Sequence, residues 1–189
     1  MTTAAPSPIL AAVYRGDRAA VERLLADGAT LTLCEAAAVG DSARIRQLTA
    51  ADPRAVTTPS PDGWPPLHLA AYFGHGDAVD ALLEARADVH ARSTNSHGNT
   101  ALHAAAAGRG DVRILSRLLA RGADVNAVEP THYRPLHLAA ERGDVALIET
   151  LLAHGADATA RASDGKTALA VAEEHGHALA ARRLRGEMP

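Results

Sequence analysis

Apolar residues in this chain recur as two short helical stripes separated by a tight turn, and the pair returns at a nearly constant interval. Leu67, Leu102, Leu136 and Leu169 are 35, 34 and 33 residues apart. Around them the segments Pro66-Leu67-His68-Leu69-Ala70-Ala71, Ala101-Leu102-His103-Ala104-Ala105-Ala106 and Pro135-Leu136-His137-Leu138-Ala139-Ala140 align, and Ala168-Leu169-Ala170-Val171-Ala172 follows without the histidine. The second stripe ends in Leu82-Leu83, Leu118-Leu119 and Leu151-Leu152, each followed by a small-residue stop such as Ala87-Asp88, Gly122-Ala123-Asp124 or Gly155-Ala156-Asp157. Weaker copies lie upstream, marked by Ile9, Gly16, Leu24-Leu25 and Gly28, then by Leu33, Gly40, Leu48 and Asp52-Pro53. A repeat of this length means stacked supersecondary units. Six are predicted, over about 8–30, 31–61, 62–96, 97–130, 131–163 and 164–187, with residues 1–7 and Gly186 to Pro189 as disordered tails.

Each unit reads as helix, turn, helix, loop. Pro66 and Pro135 suit a first helical turn, where the missing N–H would have had no partner. Gly16, Gly40, Gly74, Gly110, Gly143 and Gly176 are expected to stop the first helix. Asp17, Asp41, Asp111 and Asp144 follow as caps for the second. Apolar residues at helical spacing, as in Val145, Ile148, Leu151 and Leu152, then run to a left-handed stop at Gly28, Gly122 or Gly155. The connecting loops are expected to project as short hairpins.

These markers resemble the ankyrin repeat family, whose unit of about 33 residues opens with Thr-Pro-Leu-His and closes with Gly-Ala-Asp. The resemblance covers the whole folded chain and implies an all-α ankyrin-repeat solenoid with short β-hairpin-like loops. No unit keeps the full opening. Pro65 replaces the threonine in the third unit and Arg134 in the fifth, Ala101 replaces the proline in the fourth, and Ala170 the histidine in the sixth. Only Thr100 and His103 retain the hydroxyl and ring that share a hydrogen bond in the family. His68, His103 and His137 are implied to be structural, as are His75 and His177 in the inter-helix turn.

Composition agrees with packed helices and narrows the chemistry. Alanine supplies 44 of the 189 residues while aromatics make up only 3%. So small-grained a core favours closely approaching helices over a sandwich or barrel. The net charge of −3 excludes an electrostatic case for nucleic acid or an anionic membrane. One cysteine, Cys34, rules out an internal disulfide and reads as an inert core residue. No apolar run is long enough for a membrane span, and Met1 to Pro8 has no basic residue ahead of an apolar stretch, as a secretory leader would. The expectation is a cytoplasmic monomer. A single lysine against 18 arginines, with so much alanine, suits a GC-rich bacterial coding sequence.

His154 falls near a helix C-terminus, where a cation is favoured. His90, His97, His132 and His175 show neither the i, i+4 spacing of a helical metal site nor an HExxH segment. No phosphate-binding glycine pattern or nucleophile constellation is present. No cofactor, metal or enzymatic activity is therefore expected, and a metal-dependent or hydrolytic enzyme is the reading disfavoured. The resemblance implies instead a partner protein bound on the concave face, formed by hairpin and first-helix positions. Trp64 and Tyr133 occupy one hairpin position two units apart. Tyr72 and Phe73 end the third unit's first helix as its last exposed positions, and Tyr14 matches Tyr72 in the first unit. Between them Ala107 and Gly108 leave room for a shallow trough. The loop from Asp88 to Leu102 is two residues longer than its counterparts, and the fourth unit has one extra residue before Gly110. Arg92, Asn95, Arg109 and Arg142, with Glu141 on the rim, are expected to add polar specificity. A narrower alternative is a dedicated regulatory or inhibitory subunit of one enzyme.

Overall fold

Helices of seven to ten residues are too short to hold alone, so each unit is stabilised by burying its apolar stripes on its neighbours. A computed structural model describes residues 5–109 and 111–187. Within them the first helices are α1 (Pro8–Tyr14), α3 (Leu33–Val39), α5 (Pro66–Phe73), α7 (Ala101–Ala107), α9 (Pro135–Glu141) and α11 (Ala168–Glu174). The second helices are α2 (Arg18–Ala26), α4 (Ser42–Ala51), α6 (Gly76–Glu84), α8 (Val112–Ala120), α10 (Val145–Ala153) and α12 (Ala178–Leu184). First helices stack on first helices and second on second from α3 and α4 onward, giving an all-α solenoid. Among the described residues the loops hold one isolated bridge, Arg92 with Thr100, and no strand.

Alanine sets the spacing of the first layer. Ala36, Ala37, Ala70, Ala104, Ala105, Ala139 and Ala140 are buried, leaving the volume between layers to Leu102, Ile114, Leu115, Leu118, Leu136, Leu147, Ile148 and Leu151. Asp17, Asp41, Asp111 and Asp144 cap the second helices, each accepting a main-chain N–H. Ser7, in the segment assigned to a tail, caps α1 through the Leu10 amide. Residues 1–4 and 188–189 lie outside the described residues.

Two turns depart from the expected pattern. The fourth unit's first helix stops at Gly108, earlier than the Gly110 stop expected, and Gly110 itself lies outside the described residues. Gly108 has φ −82°, whereas Gly40 and Gly74 end α3 and α5 at φ 83° and 79°. The extra residue of this unit therefore sits in the turn after the helix. In the third unit no glycine ends the second helix, and Arg86 takes the left-handed conformation there at φ 64°, where Gly28, Gly122 and Gly155 stand at 91°, 88° and 85°. A side chain in that region costs about 1–2 kcal/mol. Arg86 is exposed, so Arg86→Gly is expected to raise stability by about 1 kcal/mol. A denaturant midpoint that stays level or falls would contradict this.

Candidate functional site

Both ends of the first helices are clamped between units by repeating hydrogen bonds. At the hairpin end, His68 Nε2 donates to the Asn99 carbonyl (2.9 Å), His103 Nε2 to that of Tyr133 (3.3 Å) and His137 Nε2 to that of Lys166 (3.2 Å). Cys34 takes the same place one unit earlier, its Sγ 3.7 Å from the Trp64 carbonyl and 3.5 Å from that of Thr58. Trp64, Asn99, Tyr133 and Lys166 thus share one position in successive units. At the turn end, the carbonyls of Ala38, Tyr72, Ala107 and Glu141 accept from His75 Nε2 (3.0 Å), the Arg109 amide (2.9 Å), Arg142 Nη1 (3.1 Å) and His177 Nε2 (2.9 Å).

Burial tunes these groups toward their neutral forms. It pushes the His68 and His103 rings down to about 4, against the small opposing pull of their carbonyl partners, and lowers His75 and His137. Burial, with the Asp62 and Glu35 charges, raises the Cys34 thiol to about 12, so it stays protonated and unreactive. His103 Nδ1 accepts from the Thr100 hydroxyl at 2.9 Å. The corresponding Nδ1 of His68 is buried without a partner. The reason is Pro65 at that unit's cap, which has neither hydroxyl nor N–H to offer.

Between these clamps the concave face carries a trough of about 620 Å³. Its floor is Ala104 and Ala107 of α7. One wall holds Trp64, Leu69 and Tyr72 from the third unit, the other Tyr133, Leu138 and Glu141 from the fifth, and the hairpins add His97, Asn99, Glu129 and Thr131. The opening follows from side-chain size, because α7 has only alanine between two units that carry aromatics. The alanine-rich α3 faces the same problem and solves it differently. There Tyr14 of α1 reaches past it and stacks on Phe73 of α5, with ring centres 6.1 Å apart and planes 13° from parallel. The Tyr14 hydroxyl also donates to Asp62 at 2.8 Å. Burial and that carboxylate hold its pKa well above the ordinary value.

Phe73 corrects the expectation of two exposed residues at the end of α5 in exposure only: it is 8% exposed and packs into the core, yet with Tyr14 it still lines the trough, while Tyr72 is 46% exposed. Trp64, half-buried, stacks on His97 at 5.5 Å, and Tyr133 leans on His137 at 5.1 Å. Arg92, Asn95, Arg109 and Arg142 do not line the trough. Arg92 Nη1 donates to the Gly98 and Val128 carbonyls, joining neighbouring hairpins. Asn95 folds the long loop onto its neighbour, accepting from Ser93 Oγ and the His97 amide and donating to the Asp62 carbonyl. The Arg109 side chain lies against Gly74. His97, Asn99, Glu129, Thr131 and Leu138 are trough residues beyond those expected to bind. The repeat frame offered a signal for Asn99, at the position of Trp64 and Tyr133, and for Leu138, at that of Leu69, and the extra loop length offered one for His97.

Among the described residues no helix is long and apolar enough to cross a membrane, and no three His, Cys, Asp or Glu side chains are grouped to hold a metal ion. The family profile described as "Ankyrin repeats (3 copies)" matches residues 9–129 and 104–187. The chain is 32% identical over 150 residues to a Caenorhabditis elegans homologue of transient receptor potential cation channel subfamily A member 1, covering 79% of this chain and 12% of that protein. It is 40% and 41% identical over 78 and 80 residues to alpha-latrocrustotoxin-Lt1a and alpha-latroinsectotoxin-Lt1a of Latrodectus tredecimguttatus, covering 41% of this chain and 5% of each toxin. The chain thus spans an eighth or less of the length of these relatives. With twelve short helices stacked in pairs among the described residues and both family matches running along them, the chain belongs to the ankyrin repeat family.

Proposed function

We propose that this protein binds a segment of a partner protein in the trough over α7, acting as a monomer in the cytoplasm. Ankyrin repeats are in general protein–protein interaction modules. The observation that carries the reading is the juxtaposition of Trp64, Tyr72 and Tyr133 around an alanine floor. These are large amphipathic side chains of the kinds that dominate binding energy at interfaces. Clamped helix ends hold the walls in place before binding, which limits the entropy lost on association. A buried free thiol suits a reducing compartment.

Affinity capture from the native cell extract tests this. The wild type is compared with Trp64→Ala/Tyr133→Ala, first shown by circular dichroism to be folded. Retention of a partner by the wild type and its loss by the variant is expected, with a cost of about 2 kcal/mol or more. A partner held equally by both would place binding elsewhere on the chain.

A further inference from the structure

The trough is unequal in charge. Glu129 and Glu141 line it, and no lysine or arginine does. Among the described residues neither carboxylate is in an ion pair; Glu129 accepts only from the Thr131 hydroxyl. Of the arginines around the trough, Arg92 donates to the Gly98 and Val128 carbonyls and Arg142 to that of Ala107, while Arg109, against Gly74, and Arg134, at the start of α9, stay outside its lining. Beyond Tyr133, Lys166 is itself paired with Asp164 and Glu174. Partial burial and then the Asp164, Glu141 and Glu174 charges, against the opposing pull of Lys166, raise the Tyr133 hydroxyl.

A second observation is independent of this charge. Asn99 sits in the frame midway between Trp64 and Tyr133, is 8% exposed, and lines the trough. Its side-chain oxygen is buried without a hydrogen-bond partner. Such a group is costly to leave unpaired. The oxygen is closed off in the free chain, so a bound segment supplies it with a donor only by turning the Asn99 amide toward the trough.

We propose that the occupant of the trough is a basic segment of a partner protein, with an apolar side chain on Ala104 and Ala107, an N–H donor to Asn99 and cationic residues facing Glu129 and Glu141. This rests on the concave-face reading above and adds the chemistry of the ligand. Arginine suits the site better than lysine. Its planar guanidinium stacks on aromatic faces and offers several N–H groups at once. A segment of two helical turns, about 11 Å, matches α7, whose seven residues span about 10 Å.

A displayed library of random peptides of about twelve residues, selected on the full chain at low salt, tests the proposal. Selected peptides are then measured on the wild type, on Glu129→Gln/Glu141→Gln and on Trp64→Ala/Tyr133→Ala. The expected result is enrichment of arginine or lysine around a large apolar residue. Affinity should fall roughly tenfold in the glutamine variant and fall with salt from about 50 to about 500 mM. Peptides that are acidic or neutral, and that bind the glutamine variant unchanged but lose affinity in the aromatic variant, would overturn the basic ligand and leave the concave face intact. Peptides indifferent to the aromatic variant would overturn both readings. A library that yields no binder overturns the proposal as well.

Discussion

Gly108→Ala lowers the stability of the protein by about 3 kcal/mol, the upper end expected for overpacking, although the substitution looks harmless in the sequence. The backbone of Gly108 has an ordinary φ of −82° but a ψ of −137°, outside the α and β regions open to alanine, so the conformation already disfavours the variant. Contact adds to the cost. A Cβ at this position would run into the Tyr72 carbonyl oxygen and lie 2.6 Å from its Cα, both main-chain atoms that cannot swing away. The next residue, Arg109, donates its amide to that same carbonyl. Relief therefore means separating α7 from α5 and giving up that bond. Gly122→Ala is the matched control. Its φ of 88° makes alanine strained, but nothing lies within 4 Å, so a cost of only about 1 kcal/mol is expected. Urea midpoints of the two variants check the order. A Gly108→Ala protein as stable as the wild type would mean that the close approach of α5 and α7 is wrong. Because Tyr72 and Ala107 form adjoining parts of the trough, the same variant should also weaken partner binding.

Acidification from pH 7 to about 4 removes on the order of 5 kcal/mol of stability, through His68 and His103. Both rings are buried neutral and held down at about 4, against 6.5 for a free imidazole. Between those values the unfolded chain binds protons that the folded chain refuses, so stability rises with pH across the window and falls as it is acidified. Above 6.5 both states are neutral and the effect vanishes. Each ring accounts for roughly 2–3 kcal/mol at the acid end, and His75 and His137, lowered in the same direction, add to it. The structural reason is local. In His103 the Nδ1 that would take the proton already accepts from Thr100, and in His68 it faces the cap residue Pro65 with no acceptor to meet it. Asp111 and Asp157 have lowered carboxyl pKa values. Their contribution is present above the ordinary carboxyl range and is lost as pH falls through the lowered values, below the histidine window. Urea titrations at pH 7.5, 6, 5 and 4.5, with the two ring resonances followed by proton NMR, separate the effects. A midpoint flat across that range would contradict the assignment.

The candidate site was legible in the sequence only in part. Trp64 and Tyr133 could be placed because they fall at one position of a strong repeat, and that frame also made the alanines between them visible. Phe73 could not be told from Tyr72. The two are adjacent, about 100° apart around a helix, and the alanines preceding them do not mark which side is core. The role of Asn99, though not its place in the frame, was hidden for a different reason. Its importance lies in an amide oxygen left unpaired by neighbours from other units, which no spacing along the chain records.

The repeat interval, the aspartate caps, the proline openings and the histidine positions determined the architecture by themselves. They are local or nearest-neighbour features, and in a one-dimensional stack such features are sufficient to define the fold. What only the tertiary structure decided is which gaps between units are filled. Over α3, Tyr14 and Phe73 meet and fill the gap, forming one side of the trough; over α7, the aromatics of the third and fifth units remain apart and leave it open. Those pairs belong to units that are not adjacent. Whether their side chains touch depends on how far each layer is set from the next, which is governed by contacts such as Gly108 against Tyr72 rather than by the pattern within any one unit.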